Sequence, residues 1–172
     1  IEKILKNGQP PVLSIIGGAK VSSKIEILKN LINVVDDLII GGGMAYTFIK
    51  ANGGEIGNSL FEEAFLKEAH KILLLAKNKN VNVHLPYDVV VSEKFSNDAI
   101  IETVDIYKIP KSMEGLDIGP LTIKKFDKII LSSKTILWNG PLGVFEMPNF
   151  QNGTKQIALS IANATNCGAF SL

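Results

Sequence analysis

The stretch from Val12 to Asn33 constrains this chain more than any other. Val12-Leu13-Ser14-Ile15-Ile16 is a short, nearly unbroken apolar run of the kind that forms a buried strand. It ends on the turn Gly17-Gly18-Ala19-Lys20, after which Val21, Ile25, Leu28, Ile32 and Val35 recur at gaps of four and three. That spacing lays one apolar stripe along a helix, with Ser22 and Ser23 near its start. Lys20 and Lys24 then fall one turn apart, where backbone N–H groups are unpaired and the helix dipole is positive. Two cations there repel the helix end and each other. An anion between them relieves both, and the glycines let a ligand come close to the backbone. On this stretch alone the alternative stays open, that the lysines are solvated and the glycines only turn the chain.

The same punctuation returns further on. Asp37-Leu38-Ile39-Ile40 is a second apolar strand running into Gly41-Gly42-Gly43, with a short helix expected over residues 44–50. Ser59 and Glu62 have capping-box spacing, and Phe61, Phe65, Ala69, Ile72 and Ala76 continue as a helical stripe. A strand over 81–85 leads through Pro86-Tyr87-Asp88 into Val89-Val90-Val91. Residues 92–119 read as an excursion off the main sheet, with a strand over 103–106 and turn signals at Pro110 and at 113–115. Pro120 suits the first turn of a helix reaching about Ser133. A strand over 135–138, the turn Asn139-Gly140-Pro141, a helix over about 153–164 and a last strand toward Leu172 follow.

Near-continuous apolar strands separated by amphipathic helices predict an α/β fold, a Rossmann-like parallel sheet with helices on both faces in three α/β/α layers. Ligands bind such sheets beyond the carboxyl ends of the strands, where the strand order reverses. The turns after Ile16, Ile40 and Trp138 all fall on that edge and all carry glycine. Together they point to a nucleotide or phosphate site.

Composition narrows the partners. With 172 residues, 46% hydrophobic and 20% charged, the chain suits one domain with one sizeable core. A net charge of +1 gives no field for nucleic acid or an anionic membrane, so neither is an expected partner. The single cysteine, Cys167, excludes an internal disulfide, and His70 and His84 lack zinc spacing with it. No apolar run approaches the roughly 18 residues of a membrane span, and a soluble, cytoplasmic protein is expected.

The chemistry is narrowed by elimination. A P-loop needs Gly-Lys, and the chain has no such pair. The glycines at 17–18 and 41–43 have the wrong spacing for a dinucleotide fingerprint, although Asp36 and Asp37 lie close to where a ribose-binding acid would sit. Neither a nucleophile–base pair nor a metal-ligand cluster is visible. Phosphoryl transfer fits so sparse a set, because it depends mostly on positioning and charge stabilisation.

Six blocks stand in order along the chain: Gly17-Gly18-Ala19-Lys20-Val21 with Lys24; Gly41-Gly42-Gly43-Met44-Ala45 with Thr47-Phe48; Glu55-Ile56-Gly57 with Ser59-Leu60-Phe61; Leu85-Pro86 with Asp88; Gly115-Leu116-Asp117 with Gly119-Pro120; and Trp138-Asn139-Gly140-Pro141 with Gly143-Val144-Phe145-Glu146. In this register the chain resembles the phosphoglycerate kinase family, over essentially its whole length, and within it the C-terminal, nucleotide-binding domain. The resemblance implies ATP/ADP with Mg2+ as the nucleotide. Lys20 matches the residue nearest the transferred phosphoryl group, the catalytic position, and Lys24 the second holder of the phosphate chain. Asn139 matches a donor to a phosphate, and Glu146 the acid that takes the ribose hydroxyls. Gly18, Gly42, Gly43, Leu60, Leu116, Pro141 and Val144 match the adenine slot, and Ala19 falls among the nucleotide contacts. Ser23 stands where many members carry an acid, which removes a charge beside Lys24.

The resemblance also divides the chain. Residues 1–8 are expected to be the tail of an interdomain helix, with Ile1–Lys6 as its last turns stopped by Asn7-Gly8. Residues 9–172 are expected to be an incomplete nucleotide-binding domain whose sheet is truncated at its C-terminus. The family continues with a glycine triplet, an aspartate and a hydroxyl residue. Its N-terminal domain, also absent, holds 3-phosphoglycerate or 1,3-bisphosphoglycerate and supplies an arginine to the transferring phosphoryl group. The expected parent is a monomeric glycolytic kinase moving a phosphoryl group reversibly from 1,3-bisphosphoglycerate to ADP, giving 3-phosphoglycerate and ATP, and the piece alone is expected to be inactive. The alternatives are a non-catalytic nucleotide-binding module and a dinucleotide-dependent oxidoreductase, which the glycine spacing disfavours.

Overall fold

The apolar run at the start becomes strand β1 (Val12–Ile16), buried at every residue. A computed structural model describes residues 8–172, so the helix tail expected at Ile1–Lys6 lies outside the described residues. After β1 come α1 (Ile25–Leu31), β2 (Asp37–Ile40), α2 (Ala45–Ala51) and β3 (Glu55–Ile56). A 3-10 turn (Glu63–Phe65) leads into α3 (Leu66–Asn78), followed by β4 (Asn82–His84), β5 (Asp88–Ser92), β6 (Ile101–Asp105), β7 (Lys108–Ile109) and β8 (Glu114–Ile118). Helix α4 (Pro120–Ser132), β9 (Thr135–Asn139), a second 3-10 turn (Pro148–Phe150), α5 (Asn152–Asn166) and β10 (Phe170–Ser171) complete the order.

The main sheet runs β10-β9-β1-β2-β4 with every pairing parallel. Successive side chains of its strands point to opposite faces. Val12, Ile16, Leu38 and Ile40 pack on one face with Leu28, Phe48 and Ile72 of α1, α2 and α3. Leu13, Ile15, Ile39 and Ile136 pack on the other with Phe126 and Ile130 of α4 and Ile157 of α5. This is the three-layer α/β/α arrangement expected of near-continuous apolar strands. The chain moves outward from β1 through β2 to β4, then returns to β9 on the other flank of β1, so the strand order reverses between β1 and β9.

The excursion builds its own sheet. β5 pairs antiparallel with β6 and β8, β3 pairs with β7, and Tyr46, Ile49, Val89, Val91 and Ile106 form a separate core. Three local expectations are corrected. Met113-Glu114-Gly115 is not a turn: Glu114 opens β8 opposite Ser92. Helix α1 starts only at Ile25 and ends at Leu31, with turns on either side, although all five residues of the stripe are buried. Ser59 and Glu62 make no capping box. Ser59 Oγ accepts from the Gly115 amide at 2.9 Å, Glu62 takes the Ser22 hydroxyl at 2.7 Å, and Phe61 stays outside the helix and exposed.

Helix α4 is capped from a distance. Its N-cap position is Gly119, which has no side chain to offer, so Asp88 of β5 takes the Leu121 amide at 3.0 Å and the Thr122 amide at 2.7 Å. Asp88→Ala leaves both amides without acceptors in a buried setting and is expected to lower stability by about 2–3 kcal/mol in urea unfolding. A loss under about 0.5 kcal/mol would mean that water replaces the carboxylate.

Candidate functional site

Parallel register sets the site's floor. Ile16 and Asn139 are paired, so the turns leaving β1 and β9 start side by side. Gly17 N donates to Asn139 O at 2.9 Å and Gly18 N to Pro141 O at 3.1 Å. Gly41 N donates to Ile16 O at 2.9 Å and Met44 N to Gly18 O at 3.0 Å, which brings in the turn after β2. The three glycine turns therefore form one backbone surface on the carboxyl edge, where the strand order reverses. A Cβ on Gly17 would lie 2.0 Å from Pro141 O, and one on Gly42, at φ +66, would lie 2.7 Å from both Gly18 N and Gly18 O. Such approaches need glycine.

Against this floor opens a cavity of about 600 Å³. Of the residues singled out from sequence, Gly18, Ala19, Gly42, Gly43, Leu60, Leu116, Pro141, Val144 and Glu146 line it. Lys20, Lys24 and Asn139 are not among its lining residues. Lys24 Nζ donates to Asn139 Oδ1 at 2.5 Å, which joins the turn after β1 to the end of β9. The Lys24 amide is engaged by Val21 O at 2.9 Å, so the first-turn N–H that was expected to be unpaired at this residue is occupied. Lys20 is exposed, and its charge reaches Glu62. Desolvation opposes ionisation of Glu62, but the Ser22 hydroxyl, the amides of Ser22 and Val21 and the Lys20 charge hold its carboxyl below the usual range.

Tyr46, Phe95, Glu114, Gly115 and Met147 also line the cavity and were not anticipated. Tyr46 and Phe95 carry no one-dimensional signal beyond that of core residues. For Glu114 there was one, an acid set directly beside the Gly115-Leu116 block. Strand β8 presents these residues through a bulge: Val91 pairs with Gly115 and Val90 with Asp117, so Leu116 is the extra residue. The Leu116 carbonyl accepts from Val144 N at 2.8 Å and ties the turn after β9 to this second sheet.

Beneath the bulge lies Asp117, only 2% exposed. Burial pushes its carboxyl up to about 7, although Gly153 N at 2.7 Å and Ile118 N at 2.9 Å favour the charged form. Tyr46 is also buried, and desolvation with the nearby Asp117 and Glu114 charges pushes its phenol well up. Asp36 and Asp37, which the sequence placed close to a ribose-binding position, lie at the opening end of β2, away from the cavity. Asp36 accepts from Val12 N at 2.7 Å, and Asp37 contacts His84 Nε2 at 2.7 Å. Both acids are used inside the fold, which removes the one feature favouring a dinucleotide.

Among the described residues no group of three or more His, Cys, Asp or Glu is arranged to hold a metal ion, and no helix is long and apolar enough to cross a membrane. The comparisons with known proteins agree with one another. A phosphoglycerate kinase from Porphyromonas gingivalis is 50% identical over 172 residues, 100% of this chain and 41% of that protein. One from Schistosoma mansoni is 50% identical over 169 residues, 97% of this chain and 41% of that protein. The structure of phosphoglycerate kinase from Coxiella burnetii matches with a TM-score of 0.94 at 41% identity, covering 98% of this chain and 43% of that one. The chain thus spans about two fifths of the length of these relatives. The phosphoglycerate kinase family profile matches residues 1–172, and with half of all residues shared with full-length relatives, the chain belongs to the phosphoglycerate kinase family.

Proposed function

We propose that residues 9–172 are the nucleotide-binding part of a phosphoglycerate kinase, and that the cavity takes ADP or ATP with magnesium. The observation that carries this reading is one arrangement. A cavity of a size suited to a nucleotide lies on a glycine floor, between aliphatic side chains, beside the Lys24–Asn139 pair at the sheet's reversal point. Leu60, Leu116 and Val144 cover the faces of a flat base while Gly18, Gly42, Gly43 and Pro141 leave room for it. Glu146 takes the ribose hydroxyls. Lys24, Asn139 and the Ala19 turn hold the phosphate chain, and exposed Lys20 meets the phosphoryl group in transfer, where a fixed cation stabilises charge as it develops.

Magnesium fits this site only as part of the nucleotide. The donor set of the described residues offers no protein cage, and a hard cation that keeps several waters is satisfied by phosphate oxygens and water. When bound, it neutralises phosphate charge, and the residues of this chain orient the nucleotide around it. In the full reaction the bond from phosphorus to the carboxyl oxygen of 1,3-bisphosphoglycerate breaks and one to the terminal ADP oxygen forms, leaving 3-phosphoglycerate and ATP. The carboxylate side belongs to the N-terminal domain of a monomeric, cytoplasmic parent, so these residues alone bind nucleotide without turning it over.

Calorimetric titration with magnesium-ADP tests the reading. Saturable binding is expected, weakened about tenfold by Lys24→Ala, which removes a charge-assisted contact, and several-fold by Glu146→Gln. Glu146 is exposed and half-buried Lys24 gives up one hydrogen bond, to Asn139, so the thermal midpoint should fall by no more than about 4–8 °C, with the unfolding transition intact. Absence of binding by a chain with an intact unfolding transition, or equal affinity in all three proteins, would overturn the proposal.

A further inference from the structure

The cavity holds one charged side chain to which the nucleotide reading gives no task. Glu114 is half-buried at the opening of β8, two residues before the bulged Leu116, and both line the cavity. Only partial burial acts on its carboxylate; among the described residues it has neither a cation nor a hydrogen-bond donor. The Tyr46 hydroxyl lies close by, since a Cβ built on Gly115 would come within 2.0 Å of it. An apolar side chain at this position would carry no electrostatic cost, whereas a half-buried carboxylate gives up part of its hydration and gains no partner among the described residues in return. Without such a partner, the acceptor is open to water and free to take a donor from a ligand that enters the cavity.

Which part of a ligand arrives there follows from the other polar groups. Lys24 and Asn139 mark the phosphate end, at the seam of β1 and β9. Glu146 is exposed at the rim, where a ribose leaves the floor. Leu116 and Glu114 belong to the second sheet, which leaves the base as the part that reaches β8. The edge of a purine that an acceptor-only carboxylate can read is its N–H edge. We infer that Glu114, with the Tyr46 hydroxyl beside it, is a specificity-determining residue that accepts a hydrogen bond from the exocyclic amine of a purine base. The inference rests on the nucleotide reading of the cavity and adds a base preference to it. The cavity then discriminates among purine nucleotides by hydrogen bonding as well as by shape. A site built to pair a ligand donor disfavours the analogue lacking it, because the bound base covers the acceptor from water and leaves it unpaired.

The test compares magnesium-ADP with the diphosphate of purine riboside, which differs from ADP only in lacking the exocyclic amine. The chain is expected to hold ADP about tenfold more tightly. Glu114→Met, similar in length and without an oxygen acceptor, should bring the two ligands within about twofold, and Glu114→Gln, which keeps one acceptor oxygen, should retain part of the preference. Lys24→Ala should weaken both ligands equally and leave their ratio unchanged. Equal affinity for the two ligands in the unaltered chain, or a preference that survives Glu114→Met, would overturn the role of Glu114 while leaving nucleotide binding in place. Failure of either ligand to bind the folded chain would remove the nucleotide reading itself, and the base preference with it.

Discussion

Gly17→Ala is expected to lower stability by about 3–5 kcal/mol and to abolish ligand binding at the cavity, an overpacking effect above the usual range of about 1–3 kcal/mol. The new Cβ would lie 2.0 Å from Pro141 O, 2.6 Å from Gly140 O and 2.7 Å from Pro141 C. All of these are backbone atoms, so no side chain can swing aside. The turns cannot separate without losing the bonds from Gly17 N to Asn139 O at 2.9 Å and from Gly18 N to Pro141 O at 3.1 Å. Gly18→Ala makes the contrast. At Gly18 nothing lies within 4 Å of an added Cβ, but φ is +121, so the cost is backbone strain of about 1–3 kcal/mol with the floor still closed. Urea unfolding of the two variants, with a nucleotide titration of each, separates the cases. A Gly17→Ala protein within about 1 kcal/mol of the parent would show that the turns do not meet as described.

Stability is expected to fall as pH rises between about 4 and 7, and Asp117 is the cause. An unfolded carboxyl of this kind titrates at 3.8, whereas in the fold burial pushes it up to about 7. Between those values the folded chain keeps a proton that the unfolded chain has released, so unfolding gains on the fold as pH increases. The stabilisation is complete below about pH 4 and gone above about pH 7. At about 1.4 kcal/mol for each pH unit, it amounts to at most about 4 kcal/mol. Asp117→Asn carries no charge and should remove this slope. Its amide turns an N–H toward either the Gly153 or the Ile118 amide, which costs about 1–3 kcal/mol at every pH. The variant should therefore be less stable than the parent at pH 5 and approach or overtake it by pH 8. Urea unfolding at both pH values measures this, and a constant gap between the two proteins would assign the transition to another group.

The floor was legible because its signals are local. An apolar run followed by glycine needs no knowledge of the rest of the chain, and three such junctions on one edge locate the reversal point. The partners of the polar groups were not legible in this way. Ser59 and Glu62 have the spacing of a helix cap, yet their contacts come from Gly115, 56 residues on, and from Ser22, 40 residues back. Spacing along the chain cannot tell a local donor from a distant one. Glu114-Gly115-Leu116-Asp117-Ile118 carries two acids and a glycine, all poor strand formers, and pairs because β5 offers its edge. Lys24 shows both sides. Its place beside the glycine turn could be read directly, whereas its contact with Asn139, 115 residues away, belongs to the sheet order.

That separation bears on how the molecule is made. β1 and β9 are neighbours, but the segment between them contains β2, β4, the whole second sheet and α4. Closing so long a loop is entropically slow, and contacts of this kind form late in folding. During synthesis β1 must wait with its β9-facing edge unpaired until Thr135–Asn139 has left the ribosome. No partly built chain can present the floor. Any ligand of this cavity stabilises the finished sheet alone, by mass action, and draws completed molecules away from the partially folded population.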